Sequence, residues 1–325
     1  MFWKFRVAAI ESRQPNLRMH FLPGNTTMDD AIRKAETLIE ALSYIRNFRD
    51  KRTLIKLGGS AMEDAAALRA TLQDVVFMET VGMRPILVHG GGKAIDRAMA
   101  EAGLKPEKVL GRRRTDDATL KIVVDVLVNQ INASIVRQIR DHGGRAVGLC
   151  NGTLKSLFGE KLILHDESGR PVDLGRVGRI TSVDSALIED LCAAGVVPVI
   201  PSLAVDADGE WLNVNADSAA AAVACHLRAE KLVFLTDTPG ILLEPGNEAS
   251  LVSSLDASEC PKLIRQGIIT GGMIPKVEAC LESLQAGVRK THVIDGRLKH
   301  SLLLEIYTDR GVGTQIVGGK KSPGQ

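Results

Sequence analysis

The chain has 325 residues, 45% of them hydrophobic, with a formal net charge of +2, which suits one large α/β domain or two lobes and leaves no nucleic-acid footprint. Its five cysteines, Cys150, Cys192, Cys225, Cys260 and Cys280, form no C-x-x-C pair and read as small buried hydrophobes in a reducing compartment, not as disulfides or a zinc site. No apolar run reaches the length of a membrane span and the first ten residues are too interrupted for a signal peptide, so the expectation is a cytoplasmic protein that binds neither membrane nor nucleic acid.

Residues 1–26 show no period and carry Pro15, Pro23 and Gly24, so a disordered N-terminal tail is expected. Thr26 and Thr27 before Asp29 and Asp30 form a loose N-cap signature. Ile32, Ala35, Ile39, Leu42 and Ile45 follow at helical spacing, opposite Arg33, Glu36, Glu40 and Asn47. A helix over 27–50 therefore precedes the main domain. Its apolar face needs a cover, from its own domain or from another subunit.

From Arg52 strands and helices alternate. Strands are expected at Arg52–Leu57, Arg84–His89, Ala146–Cys150, Val196–Pro201, Trp211–Val214, Lys231–Leu235 and Thr291–Ile294. Helices are expected at Met62–Val81, from Gly92 to near Gly103, at Asp117–His142, Ser185–Ala194, from Asp217, and at Pro275–Ala286. Short segments around Lys161–Thr181 look like hairpins. This alternation means a mainly parallel sheet covered on both faces.

The segment Thr53–Ser60 runs an apolar strand into Gly58 and Gly59, with Lys56 near its end. A lysine in a buried strand needs a counter-charge. Glycines after a strand let N–H groups face phosphate oxygens. The segment is thus a candidate phosphate site, the alternative being a glycine turn with a snorkelling lysine. It lacks the Walker A spacing. His89-Gly90-Gly91-Gly92-Lys93 offers a second glycine-led helix start. It is not G-x-G-x-x-G, which disfavours a dinucleotide fold. His89 reads as a satisfied strand-end histidine rather than a ligand or base.

Gly111-Arg112-Arg113-Arg114-Thr115-Asp116 is extended. Alternation sends Arg113 to one face, where its guanidinium can clamp a carboxylate, and leaves Arg112 and Arg114 on a solvated surface. In Asn213-Val214-Asn215-Ala216-Asp217 the asparagines share one strand face and Asp217 begins a helix. Asp217 can hold nearby lysines; the alternative is a capping role. Thr236-Asp237-Thr238-Pro239-Gly240 resembles a nucleotide-edge loop. Gly271-Gly272-Met273-Ile274-Pro275-Lys276 places a lysine near a glycine-led helix start.

In their order and joint presence, Lys56-Leu-Gly-Gly, His89-Gly-Gly-Gly, Asn213-x-Asn-Ala-Asp217, Leu235-Thr-Asp-x-Pro-Gly240 and Gly271-Gly-Met-x-x-Lys276 resemble the amino-acid-kinase family. The likeness runs from about Met28 to Val317 and is closest to the branch acting on N-acetyl-L-glutamate. It implies a three-layer αβα sandwich with a mainly parallel central sheet. A substrate lobe over 51–230, an ATP lobe over 231–319 and a loose tail over 320–325 would follow. It implies phosphoryl transfer from ATP to the side-chain carboxylate of N-acetyl-L-glutamate, the second step of arginine biosynthesis.

Carried over by position, Lys56 and Lys276 would stabilise the moving phosphoryl group and Asp217 would orient both. Gly58, Gly59 and Gly91 would supply amides along its path. Gly91, Gly92, Arg113, Asn213 and Asn215 would form the substrate pocket, with Arg113 on the α-carboxylate. Thr236, Asp237, Gly240, Gly271, Gly272 and Met273 would hold ATP. Mg²⁺ would ride on the ATP phosphates rather than in a protein cage. An ionised carboxylate, with a pKa of about 4.3, is already a nucleophile and needs no general base.

Three positions depart from the family pattern: Gly111-Arg-Arg-Arg-Thr115, Cys150-Asn151-Gly152-Thr153, and Lys93 after the triple glycine. They leave open a longer substrate such as N-acetyl-aminoadipate. A non-catalytic arginine-sensing homologue is a further alternative, against which the joint presence of Lys56, Asp217 and Lys276 argues.

The helix of Met28–Asp50 resembles the N-terminal helix of arginine-inhibited members, where such helices interlace dimers into a hexameric trimer of dimers. By that resemblance Tyr44, His292, Glu305 and the backbone near Gly311 and Gly313 would surround L-arginine, with Glu305 as the carboxylate for its cation. A PII-type nitrogen regulator is left open as a partner.

Overall fold

The computed structural model describes residues 28–150, 154–166, 168–307 and 311–318. The expected disordered tail, the Thr26–Thr27 cap, residues 151–153 and the loose tail at 320–325 lie outside the described residues. Those described fall into two units, one through Leu42 and one from Ser43 onward. Helix α1 (Met28–Phe48) has Asp29 and Asp30 in its first turn and Arg46 in its last, the charge order that suits a helix dipole. In the first unit Ile32, Leu38, Ile39 and Leu42 are exposed.

The second unit begins β1 (Arg52–Leu57), α2 (Ala65–Thr80), β2 (Arg84–His89), α3 (Gly92–Glu101), β3 (Lys108–Val109) and β4 (Arg112–Arg113). One long helical stretch follows: α4 (Asp117–Val124), a π-helical segment over Asp125–Asn132, and α5 (Ala133–Asp141). Next come β5 (Ala146–Gly148), β6 (Leu157–Lys161), β7 (Leu164–His165), β8 (Pro171–Val172), β9 (Val177–Val183), α6 (Ser185–Ala193), β10 (Val197–Pro201), β11 (Leu203–Val205) and β12 (Trp211–Val214). The chain continues through α7 (Ala216–His226), β13 (Lys231–Thr236), β14 (Ser254–Asp256), α8 (Cys260–Arg265), α9 (Met273–Gln285), β15 (Lys290–Asp295), α10 (Ser301–Ile306) and β16 (Thr314–Val317).

Eight strands form one sheet in the order β14-β16-β15-β13-β1-β2-β10-β5. All its pairs are parallel except β15 with β16. Strands β1, β2, β10 and β13 are near-continuous apolar runs buried on both faces, as a covered parallel sheet requires. Leu54, Ile86 and Phe234 pack on one face with Ala220 of α7 and Val277 of α9. Ile55, Leu87 and Val233 pack on the other with Leu72 of α2, Ile135 of α5 and Leu302 of α10. This is the expected three-layer αβα sandwich. The chain winds outward from β1 to β5, then returns beside β1 as β13. That reversal opens a crevice at the carboxyl ends of β1 and β13, where ligands of such sheets bind.

Some details differ from the sequence reading. α2 starts at Ala65 rather than Met62, because Asp64 caps it by accepting from the amides of Ala66 and Ala67. The expected hairpins are present, β6 pairing antiparallel with β9 and β7 with β8, but β6 and β9 also join β11 and β12 in a closed barrel. Elements β3, β11, β14, β16, α8 and α10 carry no sequence signal, since each is too short to show a period, whereas β4 falls in the extended segment expected at Gly111–Asp116. The stretch Asp117–Asp141 is, by length and composition, apolar enough to cross a membrane, a feature the sequence reading did not credit. Here its apolar side, including Val123, Leu127, Ile135 and Ile139, lies buried in the core. All five cysteines are free thiols, four of them buried and Cys225 half-buried.

Candidate active site

Lys56 sits inside the fully paired strand β1 and is 6% exposed. A charge so placed needs a counter-ion, and Asp217 supplies it. Asn215 caps α7 by accepting from the amides of Asp217 and Ser218 at 2.9 and 3.0 Å. The capping role weighed for Asp217 thus falls to Asn215, and the Asp217 carboxylate is free to face the lysines. Lys56 Nζ lies 2.8 Å from Asp217 Oδ1 in an ion pair. Lys276 Nζ, from α9, donates to Asp217 Oδ2 at 3.2 Å and to Gly272 O at 3.2 Å. Burial alone would raise the Asp217 carboxyl, but the charges of Lys56 and then Lys276 outweigh it and hold it below the usual carboxylate range. A Cβ at Gly58 would press on the Lys56 ammonium, so a larger residue here would have to displace that side chain from Asp217.

Lys56 opens onto a cleft of about 320 Å³ lined also by Gly58, Gly59, Gly91, Gly92, Arg113, Asn213 and Asn215. Gly91 caps α3 without a side-chain bond, so that helix presents bare amides at its positive end. Arg113 points inward, donating to Gly92 O at 3.3 Å and pairing with Asp96. Asn213 donates to Thr115 Oγ1 at 3.0 Å. Arg114 is exposed and paired with Glu107 at 3.2 Å, on the surface assigned to it. Arg112 departs from that assignment: it is half-buried and lines the cleft, because β4 ends after two residues and its alternation is not sustained. Lys93, one of the unusual positions, pairs with Glu63 at 2.9 Å.

A second cavity of about 410 Å³ is lined by Thr236, Asp237, Gly240, Gly272, Met273 and Lys276. Its size suits a small-molecule site. Gly271 stands at the turn into α9 with φ +54°. Gly58 and Gly59 open on the first cleft rather than here. Lys276 belongs to this cavity and also reaches Asp217, so it joins the two sites. The apolar walls Ile241, Leu242, Ile268 and Ile269 carried no motif signal.

A third cavity, of about 600 Å³, gathers Tyr44, His292, Glu305 and Gly311. Gly313 adjoins it, donating its amide to Glu305 Oε2 at 3.1 Å. Glu305 is not idle: it also takes His292 Nδ1 at 2.7 Å and the Val312 amide at 2.7 Å. Burial pushes the Glu305 carboxyl up, but the His292 bond and these amides bring it below its ordinary value. Lys231 and Lys290 line the same cavity without any motif signal: Lys231 reads as the first residue of an expected strand and Lys290 falls just before the one expected at Thr291–Ile294. Burial and Lys290 lower Lys231 to about 8, and its ammonium sits 4.2 Å from the Phe48 ring centroid. Among the described residues no group of three or more His, Cys, Asp or Glu side chains is placed to hold a metal.

Residues 51–295 match the model of the amino acid kinase family. An acetylglutamate kinase of Moorella thermoacetica is 46% identical over 291 residues, covering 89% of this chain and 98% of its own. The solved N-acetylglutamate synthase of Neisseria gonorrhoeae, complexed with coenzyme A and N-acetyl-glutamate, superposes with a TM-score of 0.76 at 25% identity. That match covers 87% of this chain but 63% of the synthase, so the chain spans less than two thirds of it. The same synthase with coenzyme A and L-arginine superposes with a TM-score of 0.74 at 25% identity, covering 87% of this chain and 65% of that one. By the family model and its relatives the chain belongs to the amino acid kinase family and, within it, to the acetylglutamate kinases. It is therefore a kinase.

Proposed function

We propose that the enzyme moves the γ-phosphoryl group of ATP onto the side-chain carboxylate of N-acetyl-L-glutamate, as the second step of arginine biosynthesis. The observation that carries this reading is Asp217, which holds Lys56 in the glycine-lined cleft and Lys276 in the adjoining cavity. The acyl amino acid takes the first cleft, with Arg113 toward its α-carboxylate and Asn213 and Asn215 along its side. ATP takes the second cavity, with Mg²⁺ on its phosphates. The acceptor is already ionised, so the protein's work is positioning and neutralising charge on the transferring group. In this reading 51–230 serves the substrate and 231–319 serves ATP, in a cytoplasmic enzyme. A coupled assay with ATP and a panel of N-acylated amino acids tests it. Preference for N-acetyl-aminoadipate would reassign the substrate, and silence across the panel would leave the arginine-sensing reading.

The same proposal extends to feedback by L-arginine in a hexamer. It is supported by the third cavity, where Glu305, Tyr44 and His292 meet, and by the exposed apolar residues of α1, which suit another subunit. The arginine complex of the Neisseria synthase lends an analogy. Inhibition follows if arginine prefers one of two arrangements of the kinase. Solution mass and an arginine titration of activity test this part.

A further inference from the structure

The triple-glycine turn is held from below by a buried polar relay. His89, at the end of β2, is 0% exposed and Asn132, at the end of the π-helical segment, is 2% exposed. A carbonyl oxygen only accepts, so the Asn132 atom 3.0 Å from Val199 O is Nδ2, which fixes the amide orientation. The same NH₂ group lies 3.0 Å from His89 Nε2. Nε2 must therefore accept, and the imidazole proton sits on Nδ1. Nδ1 lies 3.2 Å from Gly90 O and donates to it. Gly90 N in turn donates to Leu57 O at 3.3 Å, the residue just before Gly58. One proton order thus runs from Asn132 through His89 and Gly90 to the foot of the other glycine turn.

Neighbouring residues are cut to fit this relay. A Cβ at Gly148 would collide with Asn132 Oδ1. The π segment also seats Leu127 and Ile131 against Gly91, where a Cβ would lie 2.8 and 2.6 Å from their methyl groups. Such wide turns recur at functional sites. Burial drives the His89 imidazolium down to about 4, so the ring is neutral at neutral pH.

We propose that Asn132 and His89 are positioning residues for phosphoryl transfer, a tautomer-locked relay that fixes the Gly90 carbonyl and so the placement of Gly91 and Gly92 in the cleft. The catalytic half of this proposal rests on reading Gly90–Gly92 as part of the phosphoryl path; the tautomer half does not. Histidine ¹⁵N spectra of the full-length enzyme, with His89 assigned by the loss of its signals in a variant, read the tautomer directly. The expected result is protonated Nδ1 and bare Nε2, unchanged from pH 8 to pH 6. A proton on Nε2, or titration in that range, overturns the relay.

His89→Asn keeps a donor near the Nδ1 position, whereas His89→Leu keeps none. The leucine variant is expected to lose at least tenfold in kcat with KM for ATP within twofold, and the asparagine variant to recover most of that loss. Equal turnover in both, or a leucine variant within twofold of wild type, overturns the positioning role. Lys56→Ala, assayed beside them, keeps the two readings apart, because a silent lysine change would remove the site assignment while the spectra still decide the tautomer.

Discussion

Lys276 and Lys56 take different oxygens of the Asp217 carboxylate, one ammonium 3.2 Å from Oδ2 and the other 2.8 Å from Oδ1. Two positive charges against one negative leave a net positive centre at the crevice. Such a centre is poised for an anionic group rather than neutralised in advance. It is also fixed before any ligand arrives, since both lysines are held by the same carboxylate.

Removing either ammonium should therefore act on turnover. Lys56→Ala and Lys276→Ala are each expected to lower kcat by about 10²–10³, or roughly 3–4 kcal/mol of transition-state stabilisation. The two should differ in stability. Lys56 is the more buried partner of Asp217, so its loss costs up to about 3–5 kcal/mol while that carboxylate stays ionised. Turnover measured well below each variant's melting temperature checks this. Near-normal kcat in either folded variant rules out the mechanism.

Arg113→Lys is expected to raise KM for the acyl amino acid far more than KM for ATP. A lysine keeps the charge but loses the planar fork. Arg114→Lys should be silent, as its partner Glu107 lies on the surface. Arg112→Lys should show a smaller KM effect, because that side chain also borders the cleft. Separate KM values for both substrates decide the order of the three.

Two buried carboxylates should leave opposite marks on stability against pH. Asp217 is lowered when folded, so its contribution is complete above its unfolded value of 3.8 and is lost as pH falls through its lower folded value. Asp74 is raised to about 6, by burial first and against the opposing pull of His300. Between 3.8 and about 6 the folded chain holds a proton that the unfolded chain has released. Stability from Asp74 therefore falls as pH rises from 3.8 to about 6 and is lost by the time pH passes 6, by at most about 3 kcal/mol over the whole window. Urea unfolding at pH 5 and pH 7.5 should show that slope in the wild type and not in Asp74→Asn.

For the arginine pocket, Glu305→Gln keeps the volume of the side chain and removes its charge. It is expected to raise the arginine needed for half-inhibition at least tenfold, with kcat little changed. Deleting residues 1–50 should give active dimers that ignore arginine. A full-length dimer with activity flat in millimolar arginine would end the regulatory reading and leave the kinase intact.

How far the sequence can be read depends on whether a residue's partner is local. Lys56 was legible because a charge inside an apolar strand demands a partner, and the glycines beside it share its chemistry. Asp217 was ambiguous from sequence, since cap and counter-ion look alike until Asn215 is seen to cap α7. Lys231, Lys290 and Asn132 were not legible at all. Their roles come from strands and helices that meet only in the folded chain. The same holds for α10 and β16, whose few residues carry no period of their own.

The place of β1 in the sheet also bears on how the protein is made. β1 pairs with β2 within a few dozen residues of chain, but on its other side Leu54 and Ile55 stand in register with Leu232 and Val233. On the ribosome that second neighbour appears only after most of the polypeptide has been synthesised. Until then the central strand offers a bare apolar edge, the kind that pairs with other nascent chains. The strand that carries Lys56 is thus among the first elements translated and among the last to be sealed, and yield in expression should depend on chaperone cover over that interval.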